Sequence, residues 1–209
     1  MINRKNDTRV HVFVARIPLS AEGKIASHER AKEIESCTSS EVRRQKFAVW
    51  KLLERALFEA LGLKIGELDL TRTENGKWEC SACKFSLSHS GEVVAVAVSE
   101  EAVGVDVEKY DPPRFAPLVE KIATADEYAD LCRLKEGERG EALNVLWTRK
   151  EALFKLRGGK TFLPKSVETQ GCGFITKSVV CGGERYFLSV ACEDPESVDF
   201  RLEEGVDAF

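Results

Sequence analysis

At 209 residues, 43% of them hydrophobic, the chain is long and apolar enough for one sizeable core or two small packed lobes, which excludes disorder. A formal net charge of −4 provides no global positive field to hold nucleic acid by its phosphates. The longest apolar run, Val93 to Val98, falls far short of the roughly 20 residues of a membrane span, and Met1 to Arg9 is polar with no apolar signal core behind it, so the sequence reads as a cytoplasmic protein whose partners include neither nucleic acid nor membrane.

Val10 to Ile17, apolar and β-branched, predicts a strand. Ser39 or Ser40 can cap a long helix whose apolar positions Val42, Val49, Leu52, Leu53, Ala56, Leu57 and Leu61 keep helical spacing, with Gly62 as its stop. Its polar start carries Arg43, Arg44 and Lys46. After a turn at Asn75-Gly76 come three strand-like runs, Phe85 to Ser88, Val93 to Ser99 and Val103 to Val107, whose short connections predict an antiparallel meander. Thr124 to Glu127 reads as a capping box opening a helix toward Leu134, and a longer helix runs from about Glu138 to Arg157, stopped by Gly158-Gly159. Strand character returns at Gly173 to Val180 and Tyr186 to Cys192, joined through Gly182-Gly183. Strand, helices and strands thus follow one another twice, which predicts an α+β fold of two lobes meeting near residues 100 to 104. The seven cysteines read as reduced thiols, because Cys80 and Cys83 have CxxC spacing but no second such pair completes a four-ligand zinc site.

Three segments carry chemistry. In Val103-Gly104-Val105-Asp106-Val107-Glu108, strand alternation sends Asp106 and Glu108 to one face and the valines to the other. Paired carboxylates repel unless water or a cation lies between them, and an oxygen-seeking ion such as Mg²⁺ suits them; taken alone, the pattern is also that of an acidic strand facing solvent. In Trp147 to Lys155, Glu151 and Lys155 stand four apart and share a helix face with Trp147, which is equally the spacing of a surface ion pair. Ser86-Leu87-Ser88-His89-Ser90-Gly91 offers hydroxyls, an imidazole and a glycine turn, the makings of a phosphate contact or of a plain hairpin. The Arg43, Arg44, Lys46 group and the Arg149, Lys150, Lys155, Arg157, Lys160 group suit a small polyphosphate or an acidic protein surface, or simply a solvated helix face.

Together Ser88-His89, Gly104-Val105-Asp106-Val107-Glu108 and, about 40 residues on, Trp147-Thr148-Arg149-Lys150-Glu151-Ala152-Leu153-Phe154-Lys155 resemble the 4′-phosphopantetheinyl transferase superfamily. Within it they match the larger monomeric branch, of the surfactin-synthetase-activating type, over roughly residues 40 to 192. The chain departs from that pattern at Gly76-Lys77-Trp78, where the family has a proline after the lysine. It departs again at Ala123 to Glu127, whose glutamate serves equally as the third residue of the capping box. The resemblance implies two similar lobes related by a pseudo-twofold, 1–102 and 103–209, the second carrying the carboxylates, with coenzyme A in the cleft between them. It implies transfer of the phosphopantetheine arm of coenzyme A to a serine of an apo acyl or peptidyl carrier protein, releasing 3′,5′-adenosine bisphosphate. Asp106, Glu108 and Glu151 would hold Mg²⁺, or Mn²⁺; Lys155 would steady a phosphate oxygen; Glu151 would take the serine proton; and Ser88, His89, Arg44 and Lys77 would hold the remaining phosphates. Rival readings are a metal-dependent phosphohydrolase using the same carboxylates on water, and a module that binds coenzyme A or a carrier without turnover.

Overall fold

A computed structural model describes residues 9–19, 23–74, 76–111, 116–203 and 206–208; Asn75, half of the expected Asn75-Gly76 turn, lies outside them. The N-terminal half holds strand β1 (Val10–Arg16), helices α1 (His28–Glu35) and α2 (Ser40–Leu61), and strands β2 (Leu70–Arg72), β3 (Trp78–Cys80), β4 (Lys84–Ser90) and β5 (Val93–Ser99). Then come β6 (Gly104–Lys109), helices α3 (Val119–Ile122), α4 (Ala125–Arg133) and α5 (Glu136–Arg157), and strands β7 (Phe174–Cys181), β8 (Glu184–Ala191), β9 (Val198–Leu202) and β10 (Val206–Ala208). The fold is α+β, with antiparallel pairing everywhere except β1–β9.

Helix boundaries follow their local chemistry. Ser39 caps α2 through the Val42 amide, and Gly62 ends it in the left-handed region at φ 68°. Thr124 and Glu127 form a complete capping box at α4, while Gly158 ends α5 at φ 69°.

The strands assemble into two four-stranded sheets, β4-β5-β1-β9 and β10-β7-β8-β6, plus the small β2-β3 pair. The apolar run of β5 is buried on both faces, as a central strand requires. Val94, Val96 and Val98 pack with Trp50, Leu53 and Leu57 of α2, while Val93, Ala95 and Ala97 pack with Val105, Val107, Leu188 and Val190 of the second sheet. Helix α5 covers the far side of that sheet, lying against β6 and β8, so the order of layers is α2, first sheet, second sheet, α5.

Two departures from expectation concern pairing. The predicted meander stops at β5, because β6 pairs with β8 and enters the second sheet. The tail strand β9 lies parallel to β1, so a boundary drawn at 102/103 leaves one strand of the first sheet in the second half of the chain. Strand periodicity identifies a buried face but not the partner that covers it.

Candidate functional site

Edge strands β4 and β6 run beside each other without a backbone ladder between them. Three serines on β4 fill that role: Ser86 Oγ accepts from the Val105 amide at 3.0 Å, Ser88 Oγ from Val107 at 3.2 Å and Ser90 Oγ from Lys109 at 3.0 Å. Because each hydroxyl oxygen receives an N–H, its own proton points onward. Ser88 donates to Asp106 Oδ1 and Ser90 to Glu108 Oε2, each at 2.8 Å. The seam joining the sheets therefore also fixes both strand carboxylates.

Lys155 of α5 meets them from the other side, its Nζ 2.7 Å from Asp106 Oδ1 and 3.0 Å from Ser88 Oγ. Glu151, one turn earlier, faces Asp106, and burial together with the Asp106 charge pushes its carboxyl up to about 8 against the opposing pull of Lys155. Asp106 is only 2% exposed, yet its Oδ2 has no hydrogen-bond donor. Two carboxyl groups within sharing distance of a proton, one with an orphaned buried oxygen, form a local anionic demand that a proton or a cation satisfies. Among the described residues, no group of three or more His, Cys, Asp or Glu side chains stands close enough together to hold a metal ion by itself.

A cleft of about 310 Å³ opens beside this cluster, with Lys155, Phe154, Gly158 and Gly159 from the end of α5 as one wall and Lys77, Trp78, Ser86, Leu87 and His89 from the β3–β4 region as another. Lys77 Nζ donates to the Lys155 carbonyl at 3.2 Å, so it closes the C-terminal end of α5 while facing the cleft. His89 is driven down to about 4 by burial and by Lys155, Arg30 and Lys46, and it is neutral near pH 7.

Of the residues expected at the site, Ser88, Asp106, Glu108, Glu151 and Lys155 converge on the carboxylate cluster, and His89 and Lys77 line the cleft. Arg44 does not join them: its guanidinium is paired with Glu92. Arg30 and Lys46 line the cleft instead; Lys46 belongs to the cationic group that the sequence offered for a polyphosphate, whereas Arg30 was not among the candidates. The Arg149 to Lys160 stretch is also divided. Lys150 is fully buried, bonded to Glu127 Oε2 at 2.8 Å and to the Val167 and Pro164 carbonyls, and Lys155 belongs to the site. Glu127, left out of the chemistry as a capping residue, thus caps α4 and neutralises a buried lysine at once.

Similarity to known proteins falls on the same segments. The family described as the 4′-phosphopantetheinyl transferase superfamily matches residues 102–187, from the β5–β6 connection through α5 to β8. A 4′-phosphopantetheinyl transferase of Bacillus pumilus, psf-1, is 36% identical over 51% of this chain and 47% of its own length. AcpT of Salmonella typhimurium is 32% identical over 46% of this chain and 56% of its own, and a 4′-phosphopantetheinyl transferase of Bacillus subtilis is 27% identical over 69% and 67%. The chain thus spans about half the length of the first two relatives. The matching stretch includes β6 and α5, which supply the carboxylates and the lysine of the cluster, so the chain is similar to 4′-phosphopantetheinyl transferases over the segments that build that cluster.

Proposed function

We propose that this protein transfers the 4′-phosphopantetheine arm of coenzyme A to a serine hydroxyl of an apo carrier protein, releasing 3′,5′-adenosine bisphosphate, and that it does so with a divalent cation. The observation that carries the reading is the convergence of Glu151 and Lys155 on the buried carboxylate of Asp106, beside a cleft lined by lysines.

Asp106, Glu108 and Glu151 fit Mg²⁺ or Mn²⁺: all are oxygen donors, and such ions need only one or two carboxylates because water and phosphate oxygens complete the shell. When bound, the ion supplies charge neutralisation at the diphosphate. Ser88 and Ser90 hold Asp106 Oδ1 and Glu108 Oε2, so the other oxygens keep a fixed direction. Lys155 offers an ammonium to a diphosphate oxygen, and Lys77 and the neutral His89 donate along the cleft. The acceptor serine oxygen forms a bond to the phosphorus that bears the pantetheine arm. The P–O bond to adenosine bisphosphate breaks, and the leaving phosphate keeps the electron pair. Glu151 would take the serine proton as an ionised carboxylate, the form in which it would also hold the cation.

The two halves of one chain supply both walls of the cleft, so we expect a monomer by light scattering. Purified protein incubated with coenzyme A, Mg²⁺ and a panel of apo carrier domains is expected to add one phosphopantetheine mass to at least one acceptor, and to stop doing so under chelation. Consumption of coenzyme A without acceptor modification would make the protein a hydrolase; no change in either, beside an active control transferase, would make it a binding module. Glu151→Gln should lower transfer by about 10²–10⁴-fold with an unchanged circular dichroism spectrum, and activity within a few-fold of the parent would remove the base assignment.

A further inference from the structure

Glu151 and Lys155 both stand on α5, so the rotation of that helix against the second sheet decides whether they meet Asp106. In the sheet register Asp106 of β6 lies opposite Ser189 of β8, and Ser189 lies opposite Thr176 of β7. Directly opposed residues project from the same face of a sheet, so the three make one polar row across its α5 side. Each is bonded to α5: Asp106 to Lys155 Nζ at 2.7 Å, Ser189 Oγ to Thr148 Oγ1 at 2.8 Å, and Thr176 Oγ1 to Arg149 Nε at 3.0 Å.

The hydroxyl protons of this row have one order. Thr148 donates to the Val145 carbonyl at 3.0 Å, so its single proton is used and Ser189 must donate to it. Ser189 then accepts from Thr176 at 3.0 Å, and Thr176 in turn accepts from the guanidinium of Arg149, which can only donate. Thr148 and Ser189 are fully buried, so water cannot replace a partner lost from either. At about 100° per residue, Thr148, Glu151, Ala152 and Lys155 fall within about 100° of one another around the helix. The bond from Ser189 to Thr148 thus anchors the face that carries Glu151 and Lys155, one strand away from Asp106.

We propose that Thr148 and Ser189 are positioning residues acting through Glu151: their bond sets the rotation of α5 at which the Glu151 carboxylate joins Asp106 in holding the divalent cation. This rests on the reading above that those carboxylates take such an ion. A purely structural tie differs from it, since losing one would lower stability and leave the metal site of the folded molecules unaltered.

Mn²⁺ titration followed by electron paramagnetic resonance tests the proposal on the parent, Thr148→Val, Thr148→Ser, Glu151→Gln and the Thr148→Val, Glu151→Gln double variant. Valine keeps the shape of threonine without its hydroxyl, and serine keeps the hydroxyl. Thr148→Val should weaken Mn²⁺ binding by about tenfold or more, and Thr148→Ser should stay within about threefold of the parent. In the Glu151→Gln background the loss from Thr148→Val should shrink to about twofold or less, because the residue it acts through is already removed. Unchanged affinity in Thr148→Val, or an equal loss in both backgrounds, overturns the proposal. Should Glu151→Gln bind too weakly to titrate, the Thr148→Val and Thr148→Ser affinities decide alone. If Thr148→Val does not fold by circular dichroism, Ser189→Ala takes its place with the same expectations. A parent that binds no Mn²⁺ would overturn the metal reading and this inference together, a result distinct from normal binding that Thr148→Val leaves unaltered.

Discussion

Ser90 shows how one hydroxyl ties sheet assembly to the site. It accepts from the Lys109 amide and donates to Glu108, so its removal takes a bond from a carboxylate rather than a core contact. Outer-shell partners of metal ligands are typically worth 10–100-fold in affinity, so Ser90→Ala should weaken Mn²⁺ binding by about that much in an electron paramagnetic resonance titration, and Ser90→Thr should restore it. Equal Mn²⁺ affinity in the alanine variant would confine Ser90 to the seam. His89 and Glu151 act on pH stability with opposite signs. The folded state refuses His89 a proton between its ordinary pKa and about 4, so this group makes stability fall as pH drops from about 6.5 to 4. Glu151, raised to about 8, holds a proton that the unfolded chain releases, so its contribution falls as pH rises from about 4.5 to 8. In metal-free protein the two slopes, each up to about 1.4 kcal/mol per pH unit, oppose one another between about pH 4.5 and 6.5. Urea unfolding of His89→Gln should then show stability rising on acidification across that window, and Glu151→Gln the reverse. Parallel curves for both variants would contradict the assigned directions.

At the scale of elements, β6 and α5 must approach closely for Glu151 and Lys155 to reach Asp106. Gly104 permits it: a Cβ there would lie 1.9 Å from the Ala152 carbonyl oxygen and 2.7 Å from the Leu156 amide nitrogen, both backbone atoms of α5. Gly104→Ala should therefore displace α5. We expect a stability loss of about 1–3 kcal/mol or more by chemical denaturation, together with a drop in transfer larger than the unfolded fraction explains. Full activity in a stable Gly104→Ala protein would show that the helix position is not critical. The helices themselves were legible in the sequence because caps and apolar spacing are local: Ser39, Gly62, the Thr124–Glu127 box and Gly158 lie where their chemistry predicts. Arg44 is not among the cleft-lining residues, and local spacing could not show this because it does not say how a helix is rotated against its neighbours. Positions 44 and 46 project about 200° apart, so when Lys46 faces the cleft, Arg44 turns to Glu92.

For the whole molecule, β9 closes the first sheet with residues from the far end of the chain, and its Val198, Phe200 and Leu202 pack on the core between the sheets. The Glu203 amide bonds the Val14 carbonyl at 2.9 Å, and its carboxylate pairs with Arg55 of α2. Deleting residues 198–209 should lower unfolding stability by about 2–4 kcal/mol, roughly half the value of fully burying three such side chains. An unchanged midpoint in thermal and urea unfolding would make the strand dispensable. The sequence by itself determined the α+β class, the capped helices, and the same-face placement of Asp106 with Glu108 and of Glu151 with Lys155, because these follow from periods of two and 3.6 residues acting over short distances. Only the tertiary structure decided that β6 leaves the meander for β8, that three serines bridge β4 to β6, that Lys150 is an interior ion-pair partner, and that Arg30 and Lys46, both paired with Glu33, line the cleft. Those outcomes depend on which buried faces cover each other and on side chains brought together from distant segments, and local periodicity carries no information about either.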